Sequence, residues 1–283
     1  MELRPLGATG MNVGVLGLGT VKLGRSEGVK YPTPAVIPGD DDVVRLLHAA
    51  VEVGVNLIDT APAYGVSEER LGRLLPGPRD RWVICTKAGE VFDGGVSRFD
   101  FSREAIIASA ERSVQRLRCG HLDILLLHSD GVIERSLAGS GAMEALADLK
   151  QRGVVRCFGV STKTLEGALA AVACCDVVMV TLNPGARADL PAIEAARVKG
   201  VGVLIKKALA SGHLGVGGER GGDDALRQTL GFSAMTPGVS SVIVGTTSVE
   251  NLRRNAVAIQ AALAGREHDD SSPDAKGQPR AGR

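Results

Sequence analysis

Eight short apolar segments alternate along this 283-residue chain with longer segments of helical periodicity. The apolar segments are continuous runs, such as DILLLH and DVVMVTL, which are typical of parallel strands buried on both faces. The predicted strands lie near residues 15–18, 55–58, 82–86, 123–127, 155–160, 177–181, 202–206 and 242–244. Eight successive strand–helix units favour a closed (β/α)8 TIM barrel, because a doubly wound sheet more often stops at about five or six strands.

Two segments flank these repeating units. A Gly-Ala-Thr-Gly turn between two short extended stretches precedes the first unit and predicts an N-terminal β-hairpin, which could cover the bottom of the barrel. Residues 265–283 are polar, contain Pro and Gly and lack apolar periodicity, so they predict a disordered, flexible C-terminal tail. We therefore expect one (β/α)8 domain over residues 1–264, followed by this tail.

Charge and composition narrow the range of partners. With 33 Lys and Arg against 32 Asp and Glu, the chain lacks the basic excess that nucleic acid or an anionic membrane requires. Its apolar runs are shorter than the roughly 18 residues of a spanning helix, and its first residues lack a signal-peptide core. Five cysteines without a C-x-x-C motif fit reduced thiols. We expect a soluble cytoplasmic protein, a monomer or weak homo-oligomer, that acts on a small molecule.

Polar residues end three consecutive predicted strands. VNLID ends in Asp59, WVICTK in Lys87 and LDILLLH in His128, and Tyr64 lies in the loop after the first of these strands. The C-terminal ends of barrel strands meet at one mouth, so we expect the four side chains to lie together. Taken singly, each could have a structural role, such as a loop cap or a core histidine. Their joint occurrence is better explained by function.

This combination suits protonation of an oxygen that becomes negative during reaction. A phenol with a solution pKa near ~10 is a poor proton donor at neutral pH unless a cation lowers its pKa, and Lys87 can supply that cation to Tyr64. Asp59 can keep Lys87 charged and oriented. His128 can hydrogen-bond the substrate oxygen or relay a proton from the phenol. Carbonyl reduction requires chemistry of this kind.

The motifs VNLIDTAPAYG, ICTKAG, LDILLLH, GVST and IVGTTSVENLRRN occur in the order and spacing of the aldo-keto reductases, which the chain resembles over roughly residues 1–262. The resemblance implies a (β/α)8 barrel that uses NADPH, less often NADH, and no metal. It also implies a catalytic tetrad formed by Asp59, Tyr64, Lys87 and His128. Tyr64 would donate the proton in reduction and accept one in alcohol oxidation, while the nicotinamide delivers hydride to the carbonyl carbon.

The cofactor contacts that the resemblance implies match less cleanly. The family's Ser-Asn pair at the carboxamide is Ser161-Thr162 here, and the expected Gln on the sixth strand is Met179. Lys206 replaces an aromatic residue that in many members stacks on the nicotinamide. Its alkyl stem could form the packing surface while its charge reaches a phosphate or the substrate, or it could point sideways in a structural role. The other predicted cofactor residues are Leu209, Gly212, Gly245, Thr246, Thr247, Asn251, Arg254 and Asn255.

The adenosine diphosphate is expected at the start of the last helix. Backbone N–H groups of residues 245–247 and the helix dipole favour anions there, and Asn251 and Asn255 could contact the adenine end. Arg254 stands where the family usually has an acidic residue. It could bind the 2′-phosphate of NADP through a bidentate contact, or it could form a solvated helix face with Arg253.

These features predict an NADP-preferring oxidoreductase that reduces a small aldehyde, ketone or sugar carbonyl, with NAD as the alternative cofactor. Two other functions stay open. The same tetrad could run in reverse in an aldose or alcohol dehydrogenase with NAD(P). The fold also occurs in nucleotide-binding regulatory subunits, such as potassium-channel β subunits. The retained tetrad weighs against a pure binding role, whereas the altered nicotinamide contacts weigh in its favour.

Overall fold

A computed structural model describes residues 1–29, 36–137, 140–210 and 222–270 and confirms the predicted barrel. The described strands, in chain order, are β1 (Leu3–Pro5), β2 (Asn12–Gly14), β3 (Leu16–Gly19), β4 (Leu57–Asp59), β5 (Val83–Ala88), β6 (Glu90–Asp93), β7 (Val96–Phe99), β8 (Leu122–His128), β9 (Val155–Ser161), β10 (Val177–Thr181), β11 (Gly202–Lys206) and β12 (Ser241–Gly245). Strands β3, β4, β5, β8, β9, β10, β11 and β12 are parallel, and pairing of β12 with β3 closes the barrel.

One α-helix follows each barrel strand. The described helices are α1 (Asp40–Glu52), α2 (Ser67–Leu74), α3 (Arg103–Arg116), α4 (Gly141–Gln151), α5 (Leu165–Cys174), α6 (Leu190–Lys199), α7 (Asp223–Met235) and α8 (Val249–Asp270). Side-chain oxygens of Ser102, Ser140 and Thr164 accept backbone N–H groups in the first turns of α3, α4 and α5, which fixes where these helices begin. Helix α8 extends past the predicted domain boundary at residue 264.

The apolar strands are buried on both faces, with side chains alternating between two cores. Outward-facing residues such as Ile58, Leu125 and Val203 pack in the large core with the helices. Inward-facing residues such as Leu57 and Ile124 fill the barrel interior. This period of two explains why each strand is a continuous apolar run, and it also directs Asp59, Lys87 and His128 inward at the top of the barrel.

The predicted N-terminal hairpin is present and packs into the barrel interior. Strands β1 and β2 pair in antiparallel register, with Leu3 opposite Gly14. Leu6, Met11 and Val13 are buried in the same cluster as the inward-facing strand residues. The hairpin therefore covers the end of the barrel that the active-site residues leave free.

A second hairpin, β6–β7, follows β5 directly and was not predicted. Its turn, at Gly94 and Gly95, has positive φ angles of 55° and 81°, which favour glycine. The sequence does carry a signal for it, since Asp93-Gly94-Gly95 lies between two short segments rich in β-branched and aromatic residues. This hairpin places Glu90 next to the barrel mouth.

Within the described parts of the chain, every helix is too short or too polar to cross a lipid bilayer. Helix α8, the longest, carries charged side chains at positions such as Glu250, Arg253 and Arg254.

We expect Leu6→Ala to destabilise the fold without altering the mouth. Leu6 is 0% exposed, and truncating it leaves a cavity beneath the barrel, so the free energy of unfolding should fall by about 2–5 kcal/mol. Leu3→Ala, on the same hairpin but 57% exposed, is the matched control and should change it by less than about 1 kcal/mol. Urea denaturation measures both, and equal effects would contradict the role of Leu6 in closing the barrel.

Candidate active site

The four predicted tetrad residues meet at one mouth of the barrel. Asp59 ends β4, His128 ends β8 and Lys87 is the last but one residue of β5. Tyr64 ends a 3₁₀ turn, Pro62–Tyr64, that follows β4. All four side chains line one cavity of about 280 Å³. The structure thus brings together the residues that the sequence placed at consecutive strand ends.

Lys87 and Asp59 form a buried ion pair in the floor of this cavity. Lys87 Nζ donates to Asp59 Oδ1 at 2.5 Å and to the Thr60 carbonyl oxygen at 2.8 Å. Lys87 is 1% exposed and Asp59 is 6% exposed. Burial alone would lower the pKa of Lys87, but the Asp59 carboxylate outweighs burial and raises that pKa above its usual value. Lys87 is therefore an ammonium ion at neutral pH.

Tyr64 lies above this ammonium and beside the imidazole. Lys87 Nζ is 4.8 Å from the centroid of the Tyr64 ring, and the Tyr64 and His128 rings meet edge to face with centroids 6.1 Å apart. Two glycines allow the loops to approach here, because a Cβ on Gly24 would lie 2.3 Å from the Tyr64 carbonyl oxygen and one on Gly65 would lie 2.1 Å from the Gly24 carbonyl oxygen. The phenol is thus held next to the cation.

Glu90 contacts His128 and was missed by the sequence analysis. Its Oε2 lies 2.6 Å from His128 Nδ1, and its Oε1 accepts a hydrogen bond from Ser97 Oγ at 2.5 Å. Burial lowers the pKa of His128, so the imidazole is neutral at pH 7. Burial would raise the pKa of Glu90, but contacts with His128, Ser97 and Arg25 lower it to about 2. A carboxylate at this distance favours the tautomer with the proton on Nδ1, which leaves Nε2 as a proton acceptor.

Two glycines leave a recess in the mouth on the other side of Asp59. Gly19 and Gly245 occupy paired inward-facing positions on β3 and β12, and Gly19 is also paired with Asp59 on β4. Both glycines line the tetrad cavity together with Ile243. A flat ring of the size of nicotinamide fits the chemistry of this recess, since among the described residues no side chain fills it at that level and the apolar Ile243 lies beside it.

Lys206 lies across the strand ends at the predicted carboxamide position. Its Nζ donates to Ser161 Oγ at 3.0 Å and to the Thr162 carbonyl oxygen at 2.5 Å, so the side chain runs sideways along the mouth towards β9. Burial, together with the charges of Lys207 and Lys87, lowers the pKa of Lys206 to about 7. Ser161 and Met179 line the cavity, whereas the Thr162 side chain donates to the Met179 carbonyl oxygen.

At the predicted diphosphate position, the loop between β12 and α8 is built from short side chains. Thr246 Oγ1 accepts the Ser248 N–H at 3.1 Å, and Ser248 Oγ accepts the Asn251 N–H at 3.2 Å. Asn255 is buried whereas Asn251 is exposed, so the two asparagines differ in access to solvent. Thr247 lies in this loop and Leu209 follows β11, while Gly212 lies outside the described residues.

Arg254 is engaged in an ion pair across the groove between α7 and α8. Its Nη2 lies 2.8 Å and its Nε 3.1 Å from Asp223 Oδ1. Both side chains are exposed to solvent, and a groove of about 570 Å³ runs beside them. The sequence analysis did not identify Asp223 as the partner of Arg254, because the two residues are 31 positions apart and lie on different helices.

Comparisons with known proteins identify the family to which this chain belongs. A model of the aldo/keto reductase family matches residues 15–230. L-galactose dehydrogenase of Arabidopsis thaliana is 29% identical over an alignment that covers 92% of this chain and 88% of that protein. D-threo-aldose 1-dehydrogenase of a Pseudomonas species is 33% identical over 54% of this chain and 56% of that protein.

Solved structures share the fold. A Pseudomonas aeruginosa protein, solved as a candidate aldo-keto reductase, has a TM-score of 0.82 and 44% identity, covering 92% of this chain and 96% of that one. The holo form of an aldo-keto reductase from Bacillus halodurans has a TM-score of 0.78 at 24% identity and covers 99% of both chains. With the family model spanning most of the chain, this protein belongs to the aldo/keto reductase family and is an oxidoreductase whose activity is NAD(P)H-dependent carbonyl reduction.

Proposed function

We propose that this enzyme reduces a small aldehyde, ketone or sugar carbonyl, with Tyr64 as the proton donor and NADPH as the preferred cofactor. The nicotinamide dinucleotide, when bound, supplies the hydride. The observation that carries the proposal is the buried Lys87–Asp59 pair held against the Tyr64 ring. Sugar carbonyls are included because relatives are named as dehydrogenases of L-galactose and of D-threo-aldoses.

Lys87 makes Tyr64 a better acid. An ammonium beside a phenol stabilises the phenolate form, so the hydroxyl transfers its proton more readily to an oxygen that becomes negative during reduction. Asp59 keeps the Lys87 ammonium in place through a contact of 2.5 Å. In the reverse direction the same cation stabilises the phenolate, which then accepts the proton of an alcohol. The tetrad can thus act in both carbonyl reduction and alcohol oxidation. Its presence supports an enzyme rather than a protein that only binds nucleotide.

His128 restores the proton that Tyr64 gives away. With the proton on Nδ1, close to the Glu90 carboxylate, Nε2 of the neutral imidazole can accept a proton from solvent and pass it to the Tyr64 phenolate. Glu90 stabilises the transient imidazolium, because its carboxylate lies 2.6 Å from Nδ1. The edge-to-face contact between the two rings keeps donor and acceptor on the same side of the mouth.

The residues near the recess at Gly19 and Gly245 are proposed to bind the cofactor. Lys206 fixes Ser161 and the Thr162 carbonyl at the carboxamide end. The N–H groups of residues 245–247 and the first turn of α8 favour the diphosphate. We assign the 2′-phosphate of NADP to Arg254, because an exposed ion pair such as Arg254–Asp223 contributes only about 0–1 kcal/mol and can yield to a phosphate. NAD is the alternative cofactor.

A cytoplasmic location and a monomeric or weakly associated state are also proposed. All five cysteines are free thiols in the described parts of the chain, and Cys85, Cys119, Cys157 and Cys175 are buried. Reduced buried thiols are typical of proteins in a reducing compartment. The near-neutral charge supports a small-molecule partner rather than nucleic acid or membrane.

Tyr64→Phe should lower kcat/KM for NADPH-dependent aldehyde reduction by roughly 10²- to 10⁴-fold, because it removes the proton donor and keeps the ring. The ring contact with Lys87 remains, so NADPH binding, measured by quenching of protein fluorescence, should change little. Steady-state kinetics with an aromatic aldehyde provide the measurement. Turnover equal to that of the wild type would refute the role of Tyr64.

Glu90→Gln should lower the pKa of His128 further. In the wild type the carboxylate favours the imidazolium and partly offsets the effect of burial, so removing its charge leaves burial and the charges of Lys87 and Lys206, all of which lower the pKa. NMR titration of the imidazole signals gives the pKa directly, and the limb of the pH–rate profile that reports His128 should move to lower pH with it. Arg98→Gln, on the outer face of the same hairpin, is the control. An unchanged His128 titration in Glu90→Gln would contradict the assigned contact.

Arg254→Glu should weaken NADPH binding by roughly tenfold or more and NADH binding much less, because only NADPH carries the 2′-phosphate. Asp223→Asn should do the opposite and tighten NADPH binding, since it removes the carboxylate that competes for Arg254. Dissociation constants for both nucleotides in both variants test the pair. Equal effects of Arg254→Glu on NADPH and NADH would exclude the phosphate contact.

A further inference from the structure

The tetrad cavity is lined by more ammonium groups than carboxylates. Four lysines, Lys87, Lys163, Lys206 and Lys207, line it in the described parts of the chain, against a single carboxylate, Asp59. Asp59 is engaged by Lys87 at 2.5 Å. The lining therefore has more basic than acidic side chains, a composition that favours anionic ligands.

Two of these lysines belong to the cofactor side of the mouth. Lys206 ends β11 and contacts Ser161 and the Thr162 carbonyl, and Lys207 follows it with its own carbonyl accepting from Asn183 Nδ2 at 3.0 Å. Strand β11 pairs with β12, whose end carries Gly245 and the proposed diphosphate loop. A dinucleotide would account for the charge of Lys206 and Lys207.

Lys163 follows the Ser161-Thr162 pair and extends towards the β6–β7 hairpin. It follows β9, whose last residue, Ser161, is paired with His128. Its Nζ lies 5.4 Å from the centroid of the Phe99 ring, and Phe99 is paired with Glu90 in the β6–β7 hairpin. Glu90 in turn contacts His128. The Lys163 ammonium thus lies at the rim of the tetrad cavity, beside the hairpin that carries Glu90.

The surroundings of Lys163 leave it able to bind an anion. Among the described residues no carboxylate forms an ion pair with it, although its backbone N–H donates to Glu134. The side chain is exposed, and an exposed cation–π contact such as that with Phe99 is worth only about 0.5–1 kcal/mol. Phe99 itself is 37% exposed and offers apolar surface next to the ammonium.

We propose that the carbonyl substrate carries an anionic group, a carboxylate or a phosphate, and that Lys163 binds this group while Phe99 contacts the carbon body of the substrate. This inference rests on the proposed function, because it assigns the substrate class of the same site. Lys163 is thereby a specificity-determining residue and takes no part in proton transfer.

Matched aldehydes test the proposal by kinetics. The first pair is 3-carboxybenzaldehyde and its methyl ester, and the second is glyceraldehyde 3-phosphate and glyceraldehyde. We expect the wild type to have a higher kcat/KM for the anionic member of at least one pair, and Lys163→Gln to lower that ratio by roughly tenfold, the effect of losing one charge-assisted contact. Lys163→Glu should lower it more. The pair of aldehydes whose kcat/KM ratio falls more in Lys163→Gln shows whether the site prefers a carboxylate or a phosphate.

Lys199→Gln is the matched control, because Lys199 is an exposed lysine at the end of α6, at the opposite end of the barrel. Three outcomes would overturn the proposal: no preference for either anionic aldehyde, a ratio in Lys163→Gln equal to that in Lys199→Gln, or a loss in Lys163→Gln that falls on KM for NADPH, which would place Lys163 in the cofactor site.

Binding without turnover separates this inference from the proposed function. Calorimetric titration of 3-(hydroxymethyl)benzoate and of its neutral amide into the enzyme with NADPH, a combination that cannot react because alcohol and nucleotide are both reduced, should show roughly tenfold tighter binding of the carboxylate, lost in Lys163→Gln. If no aldehyde is reduced but this difference is present, the reductase function fails and the anion site stands. If aldehydes are reduced and the two compounds bind equally, with glyceraldehyde 3-phosphate showing no preference either, the anion site fails and the reductase stands.

Discussion

The buried contact between Lys87 and Asp59 is the interaction on which the proposed chemistry depends. Removing an ammonium and a carboxylate from water is unfavourable by several kcal/mol for each ion, and well-packed apolar residues would often stabilise a barrel at least as well. Lys87 is nonetheless 1% exposed and bonded to both Asp59 and the Thr60 carbonyl. The burial of this pair is explained by its effect on Tyr64. The Lys87 ammonium lies 4.8 Å from the centroid of the Tyr64 ring, where its charge favours the phenolate.

The barrel makes such a pair tolerable by confining it to one layer. Below the mouth, inward-facing positions of the same strands hold Leu57, Cys85 and Ile124, and the N-terminal hairpin covers the far end with Leu6. The interior is therefore dry and close-packed up to the level of Asp59, and water reaches the polar layer from the mouth alone. In this low-dielectric setting the charge of Lys87 acts strongly on the phenol.

Sequence alone predicted the barrel and the tetrad because both follow from short-range patterns. Strand period and loop position are enough to direct Asp59, Lys87 and His128 inward at one end. Contacts between loops could not be predicted in this way. Glu90 reaches His128 through the β6–β7 hairpin, and Arg254 reaches Asp223 between two helices, so both depend on side-chain geometry that no spacing encodes. Helix α8 continues to Asp270, and its last turns are polar, so no apolar period in the sequence indicates where it ends.

The β6–β7 hairpin explains how substrate binding and proton transfer can share one mouth. Arg25 stacks 3.3 Å above the Phe92 ring, and Glu90 contacts His128, so one inner face of the hairpin is joined to loops that follow β3 and β8. Phe99, on that same face, meets Lys163 after β9. An anion bound to Lys163 therefore lies against the β6–β7 hairpin. The same hairpin carries Glu90, which contacts the His128 imidazole. A hairpin of ten residues, Glu90 to Phe99, thus couples recognition to chemistry while the barrel beneath stays unchanged, which is how loop variation alters specificity on this fold.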